Sequence, residues 1–419
     1  MTTSSIPPKV QERSTRLGYR PDLDGLRAIS CLIVLVHHSH VVPGWPPSIT
    51  WVTRFQGWIG VDVFFVLSGF LITSLLVEEE EKYGRIHLLN FYIRREFRIV
   101  PAYYVAIAIY GLFTLSSLGA PYIVEFHSQW LPWLLYLGKS ASAAETGLLD
   151  HAWSLRIEQR FYLVWPVIFF FLTRSKPKRL FILALMLVAL LPWNGSLIAI
   201  ERMRDYYGLF EGCIVALLMK RSIHSPFLER QFSRIPTELL LLPVGAAFAS
   251  IFLDRTCVLL FSFTIALFIF SLGMRDSVVK TVLGWKPLVW LGQRSYSFYL
   301  LHMVFLRIIV GLVRPKDTLG SVSVILATTA ITALASGVVY VAVEEPMRKL
   351  GRRLTISRNG DSLNFSKAPS EGVIGWRGKK SVIQEEDVAG LPLHAEPAQR
   401  RTLSSQPEKD VPREELGGV

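Results

Sequence analysis

The chain has 419 residues, of which 51% are hydrophobic, 12% aromatic and only 19% charged. That balance excludes an ordinary soluble enzyme and places the chain among membrane proteins. Its formal charge of +12 does not indicate a nucleic-acid binder, because the basic residues are dispersed between apolar runs and form no single basic domain.

Residues 1–20 are polar and are expected to be a flexible cytoplasmic N-terminus. The first apolar run follows them without a convincing small-residue cleavage site, so it is expected to stay as the first span. Apolar runs near 26–43, 57–77, 98–118, 152–173, 179–194, 205–220, 236–253, 256–273, 295–314 and 321–343 predict an all-α, polytopic bundle of about ten transmembrane helices. The connecting segments alternate in charge. One set carries Arg13, Arg94, Arg95, Arg98, Arg174, Lys220, Arg275 and Arg348 among many others, whereas the opposite loops offer only Lys139, Arg202, Arg204, Arg255, Arg314 and Lys316. The positive-inside rule therefore puts both termini in the cytoplasm and the multi-pass chain in the inner (plasma) membrane. A membrane domain of 21–350 is expected, then a disordered cytoplasmic tail over 351–419, where apolar residues lose all periodicity. Cys31, Cys213 and Cys257 sit in apolar runs without ligand or disulfide spacing and are read as packing residues.

Chemistry is then sought among polar residues inside the spans, where an ionisable group costs about 2.5–3.5 kcal/mol at the centre. The first span carries Asp22, Asp24 and Arg27 at one mouth and His37, His38 and His40 towards the other. Arg27 and His38 are eleven residues apart, three turns plus about 20°, and so share one face some 16 Å apart. Spacing leaves two readings open: snorkelling and interfacial residues, or His38 as a general base or transient acyl carrier.

The second span, GWIGVDVFFVLSGFLI, holds Asp62 early and Ser68 and Gly69 near its middle. The Ser-Gly pair suits close helix packing, with Ser68 also a candidate substrate-binding residue; Asp62 reads equally as a structural partner or a site group. The fourth span opens HAWSLRIEQRFYLVWP, with Ser154 and Glu158 one turn apart and able to face one cavity. The predicted topology brings His38, Asp62 and Glu158 to one layer near the outer half of the bilayer. At the opposite edge, Arg95 and Arg98 are three residues apart, which suits either phosphate binding or positive-inside anchoring. His302, alone in its span, is read as a packing residue. The histidines and acids lack tight ligand spacing, so no metal is expected.

The blocks DLDGLRAISCLIVLVHHSH, GWIGVDVFFVLSGFLI, FYIRREFRIVPAYY, HAWSLRIEQRFYLVWP, SYSFYLLHMVF and VEEPMRK occur in one order over residues 20–350. In this the chain resembles the membrane acyltransferase-3 family, which includes bacterial O-acetylases of lipopolysaccharide, peptidoglycan and exopolysaccharide. The resemblance implies that His38 is the essential catalytic histidine, paired with Arg27, and that Arg95 and Arg98 serve acyl-CoA. It also implies that Ser154 and Glu158 are the Ser and Glu of the WSL-x-x-E block. That block usually continues with further acidic and glutamine residues, whereas here Arg156, Gln159 and Arg160 intervene, a departure that bears on the acceptor pocket.

The resulting expectation is an O-acyltransferase with no tightly bound cofactor, taking an acetyl group from acetyl-CoA on the cytoplasmic side. The acceptor would be a hydroxyl of a carbohydrate or cell-envelope glycan. His38 would be base or acyl carrier, oriented by Asp62 or Glu158, with Ser68 and Ser154 binding substrate. Some family members carry a fused extracytoplasmic esterase-like domain, so the resemblance leaves two expectations: the membrane domain acts alone, or a separate extracytoplasmic transferase partner completes the transfer. Two alternatives stand beside this reading: a transporter using the same buried ionisable groups, and an acyltransferase acting on a small molecule or lipid.

Overall fold

The structure, a computed structural model, describes residues 19–46, 48, 56–135, 149–172, 178–189, 197–223, 225, 227 and 236–358. Among the described residues it is all-helical. The helices are α1 Pro21–His38, α2 Ile59–Tyr83, α3 Leu88–Thr114, α4 Ile123–Leu134, α5 Trp153–Leu172, α6 Arg179–Ala189 and α7 Leu197–Ile223. They continue as α8 Leu241–Ser250, α9 Val258–Met274, α10 Val278–Leu283, α11 Lys286–Gln293, α12 Ser295–Val313 and α13 Thr318–Val339. A π-helical turn, Tyr340–Glu344, leads into α14 Glu345–Arg358.

Each of the ten predicted apolar runs overlaps a helix, although residues 173 and 190–194 of two of them lie outside the described residues. Among the described residues, five helical segments rather than ten are long and apolar enough to cross a membrane: Ile59–Tyr83, Leu88–Thr114, Arg255–Met274, Ser295–Val313 and Thr318–Thr355. Large apolar side chains on their outward faces, such as Leu112, Leu326 and Leu334, are exposed, as lipid-facing residues are. Helix α14 reaches eight residues into the expected tail, where Gly351 lets the helix settle against Phe97 of α3; residues 359–419 lie outside the described residues, as do 1–18.

Local sequence explains how the site-bearing helices start and meet. Pro21 sits in the first turn of α1, where a missing N–H costs nothing, and Asp22 and Asp24 complement the positive end of the helix dipole. Close approaches are made through glycines. A Cβ on Gly292 of α11 would lie 1.8 Å from the Asp24 carbonyl oxygen of α1, and one on Gly60 of α2 would lie 2.6 Å from that of Ser30. Helices α1 and α12 run parallel in a fixed register: the Cys31 thiol meets the Ser295 carbonyl at 3.4 Å, and seven residues on His38 meets His302 at 3.3 Å. Seven residues are nearly two turns, so both contacts fall on one stripe of each helix.

At the end of the bundle where α2 stops, three successive glutamates tie neighbouring helices together. Glu79 accepts from Arg94 of α3 at 2.7 Å, Glu80 from Arg179 of α6 at 2.7 Å, and Glu81 pairs with Lys220 of α7 at 2.5 Å. This arginine-rich end holds the start of α1 and α3, and the opposite end holds the close of α1 and the start of α5.

Candidate active site

Two adjoining chambers, with Arg27 and Glu158 in common, lie between the helices. The first, about 510 Å³ of empty volume, is lined by Arg27, Arg95, Arg98, Glu158, Tyr162 and Glu344 among others. The second, about 410 Å³, continues past Arg27 and Glu158 to Phe64, Ser68, Ser154 and Tyr299. The first chamber is thus strongly charged, while the second shares Arg27 and Glu158 with it and adds serine hydroxyls, aromatic rings and aliphatic side chains.

The first chamber gathers three guanidinium groups against two carboxylates. Arg95 and Arg98 enter it together because three residues bring side chains to one face of α3. The Arg95 guanidinium is buried and stacks 4.2 Å over the centre of the Tyr162 ring. Glu344 enters from the π-helical turn, whose extra residue per turn alters which side chain faces inward, and Ser297 of α12 donates a hydrogen bond to it.

Glu158 stands in both chambers, held by two hydroxyls. Ser68 Oγ donates to its Oε1 at 2.8 Å, and Tyr162 OH lies 3.1 Å from its Oε2 and 2.9 Å from Ser68 Oγ. Tyr162 is one turn beyond Glu158 on α5; Ser68 reaches Glu158 from α2, whose next residue, Gly69, lies against α7. At the far wall, the Tyr299 hydroxyl donates to the His151 carbonyl at 2.5 Å and so accepts from Ser154 Oγ at 2.8 Å.

Beyond Tyr299 lies a layer of imidazoles. Five of the nine histidines in the chain, His37, His38, His40, His151 and His302, have ring centres 4.8 to 6.2 Å from their neighbours. Tyr299 packs edge-on to His151 at 5.5 Å and near His302 at 5.6 Å, so it separates the second chamber from the histidines. Among the described residues no group of His, Cys, Asp or Glu has metal-holding geometry.

The structure therefore brings Arg27, Arg95, Arg98 and Glu158 to one chamber and Ser68, Ser154 and Glu158 to the next. His38 lies in the layer that follows. Asp62 is buried in the first turn of α2, but on the side of that helix roughly opposite Gly57 and Gly60, where α2 meets α1. Its side of the helix is the one that Val66 and Gly69 turn to α7, and Asp62 lines neither chamber.

Four residues not assigned from sequence take part: Tyr162, Tyr299, Glu344 and His151. His302, read from sequence as packing, touches His38. Two of these carried a legible signal, because Tyr162 is four residues after Glu158 and Tyr299 three before His302. Glu344 lies in the VEEPMRK block, but the π-helical turn alone decides which way it faces.

The family model described as an acyltransferase domain matches residues 20–342. The chain belongs to this acyltransferase family. Its matched span runs from the start of α1 to within two residues of Glu344 and contains every other group of the two chambers. The chain is 30% identical over 373 residues to the peptidoglycan O-acetyltransferase OatA of Listeria monocytogenes, covering 81% of this chain and 58% of that protein. It is 31% identical over 374 residues to the O-acetyltransferase OatA of Staphylococcus aureus, covering 80% and 58%. The chain thus spans less than two thirds of the length of these curated relatives. No solved structure matches it.

Proposed function

We propose that the protein is an integral membrane O-acetyltransferase that moves an acetyl group from acetyl-CoA to a hydroxyl of peptidoglycan or another cell-envelope glycan. The observation that carries this reading is the succession of a three-arginine chamber, a second chamber that shares Arg27 and Glu158 with it, and, behind the Tyr299 wall, the layer containing His38. Phosphates of the donor suit Arg95, Arg98 and Arg27, since planar guanidinium groups bind phosphate bidentately. The extended pantetheine arm suits the second, less polar chamber. The arginine end then faces the cytoplasm, where the donor is made, in agreement with the distribution of basic residues. Relatives named for O-acetylation of peptidoglycan support the acceptor class.

In this mechanism His38 takes the proton of the acceptor hydroxyl as its oxygen attacks the thioester carbonyl. The C–S bond breaks, the acyl group passes to oxygen, and the proton moves on to the departing thiolate. Alternatively His38 carries the acyl group between donor and acceptor, which separates the two half-reactions. Ser68 and Tyr162 hold Glu158 at the junction of the chambers, and Ser154 and Tyr299 form the wall next to the histidines. Completion by a separate extracytoplasmic transferase is compatible with either route.

The test is transfer of label from radiolabelled acetyl-CoA into cell-envelope glycans by the protein in nanodiscs. Wild type is expected to release coenzyme A and label a glycan, and His38→Ala, folded to the same extent, is expected to do neither. Full transfer by His38→Ala would overturn the role of His38; a solute gradient built without any acylated product would favour a transporter.

A further inference from the structure

Two backbone carbonyls determine the protonation of the paired rings His38 and His302. His302 Nδ1 lies 2.6 Å from the Tyr299 carbonyl oxygen. A carbonyl only accepts, so Nδ1 carries the proton. His38 Nδ1 lies 2.8 Å from the carbonyl oxygen of Val34, one turn earlier on α1, so it too carries a proton. The remaining contact, His302 Nε2 to His38 Nδ1 at 3.3 Å, is satisfied in one way: His302 offers the Nε2 lone pair and His38 shares its Nδ1 proton between Val34 and His302. His302 is then neutral, and the basic nitrogen of His38 is Nε2.

We propose that His302 is a positioning residue for acyl transfer, fixing His38 in the Nδ1–H tautomer and the ring orientation that make Nε2 the working base or nucleophile. This rests on the reading of His38 above. A packing role alone does not account for the arrangement, because His302 is 1% exposed yet spends both ring nitrogens on directed polar contacts. Nor is the contact a chance one, since the same α1–α12 register makes the Cys31–Ser295 contact two turns away. The anchor for His302 is the backbone of Tyr299, whose hydroxyl meets Ser154 at the wall of the second chamber. One residue thus links the chamber wall to the orientation of the base. The logic is that of groups behind a working histidine, which orient it through its other ring nitrogen.

The experiment compares His302→Gln, His302→Asn and His302→Leu in nanodiscs, reading kcat, the KM for acetyl-CoA and the thermal midpoint. Gln can put its Oε1 acceptor close to where Nε2 sits, whereas the shorter Asn cannot reach His38 and Leu offers no acceptor. Leu and Asn are expected to lower kcat by about 10- to 100-fold with KM changed less than about twofold, a loss of the size seen for groups that orient a ligand-bearing histidine. Gln is expected to keep most of the activity. The Gln and Asn variants carry the same amide, so their comparison stands even where Leu fails to fold. Wild-type kcat in Asn or Leu would overturn the proposal. So would a Gln variant as slow as Asn, because then the titratable ring, and not the acceptor, is what matters. His38→Ala, run in parallel, separates the two readings: retained activity there removes the role of His38 itself, whatever the His302 variants do.

Discussion

The seam between α2 and α7 gives a quantitative test of how packing supports the site. It is reciprocal. A Cβ on Gly69 of α2 would stand 1.8 Å from the Leu209 carbonyl oxygen of α7, and one on Gly212 of α7 would stand 2.1 Å from that of Val66. Both obstacles are backbone atoms, which cannot turn aside as a side-chain end can. Restoring ordinary contact at Gly69→Ala therefore requires the two helices to part by about 1.6 Å, and overpacking of this kind costs about 1–3 kcal/mol. Ser68 is the adjoining residue, and its 2.8 Å bond to Glu158 of α5 is expected to be lost when α2 shifts by that much. Losing a hydrogen bond to a charged group adds about 1.5–3 kcal/mol. Together these predict a loss of about 2.5–6 kcal/mol and, for a protein of this size, a fall in the thermal midpoint of about 10 °C. The assay is thermal unfolding in detergent followed by size-exclusion recovery, with Gly245→Ala as the control. A Cβ at Gly245 in α8 meets nothing within 4 Å, and the substitution is expected to be neutral or to gain about 0.5–1 kcal/mol of helix propensity. Equal midpoints for Gly69→Ala and Gly245→Ala would refute the reasoning.

Two further predictions concern charge. Arg95→Lys keeps the charge but loses the flat face that stacks 4.2 Å over Tyr162 and the fork that grips phosphate, so the KM for acetyl-CoA is expected to rise about tenfold with a smaller effect on kcat; steady-state kinetics in nanodiscs read this directly. Glu80→Ala removes the carboxylate that Arg179 contacts at 2.7 Å while both residues are at most 9% exposed, and is expected to cost about 3 kcal/mol. The double variant Glu80→Leu with Arg179→Met is expected to recover most of that loss in the same thermal assay, since no buried charge is then left behind.

The sequence by itself determined the class, the run of helices and the same-helix neighbours of the candidate site. Apolar runs separated by basic segments mark helices whether or not they touch, because backbone hydrogen bonds in a bilayer must be satisfied within each segment. Periodicity put Arg95 beside Arg98 and Ser154 beside Glu158, since neighbours on one helix follow from 3.6 residues per turn. Tertiary structure alone decided what meets across helices. The register of the last two turns of α1 against the first two of α12 turned His302 from a residue with a packing assignment into the partner of His38. The rotation of α2, fixed by Gly69 against α7 and Gly60 against α1, sent Ser68 to Glu158 and Asp62 to the other side. The π-helical turn decided that Glu344 faces the arginines. Depth in the membrane is written in the chain one residue at a time, whereas the angle at which each helix faces its neighbours arises only when their surfaces interlock.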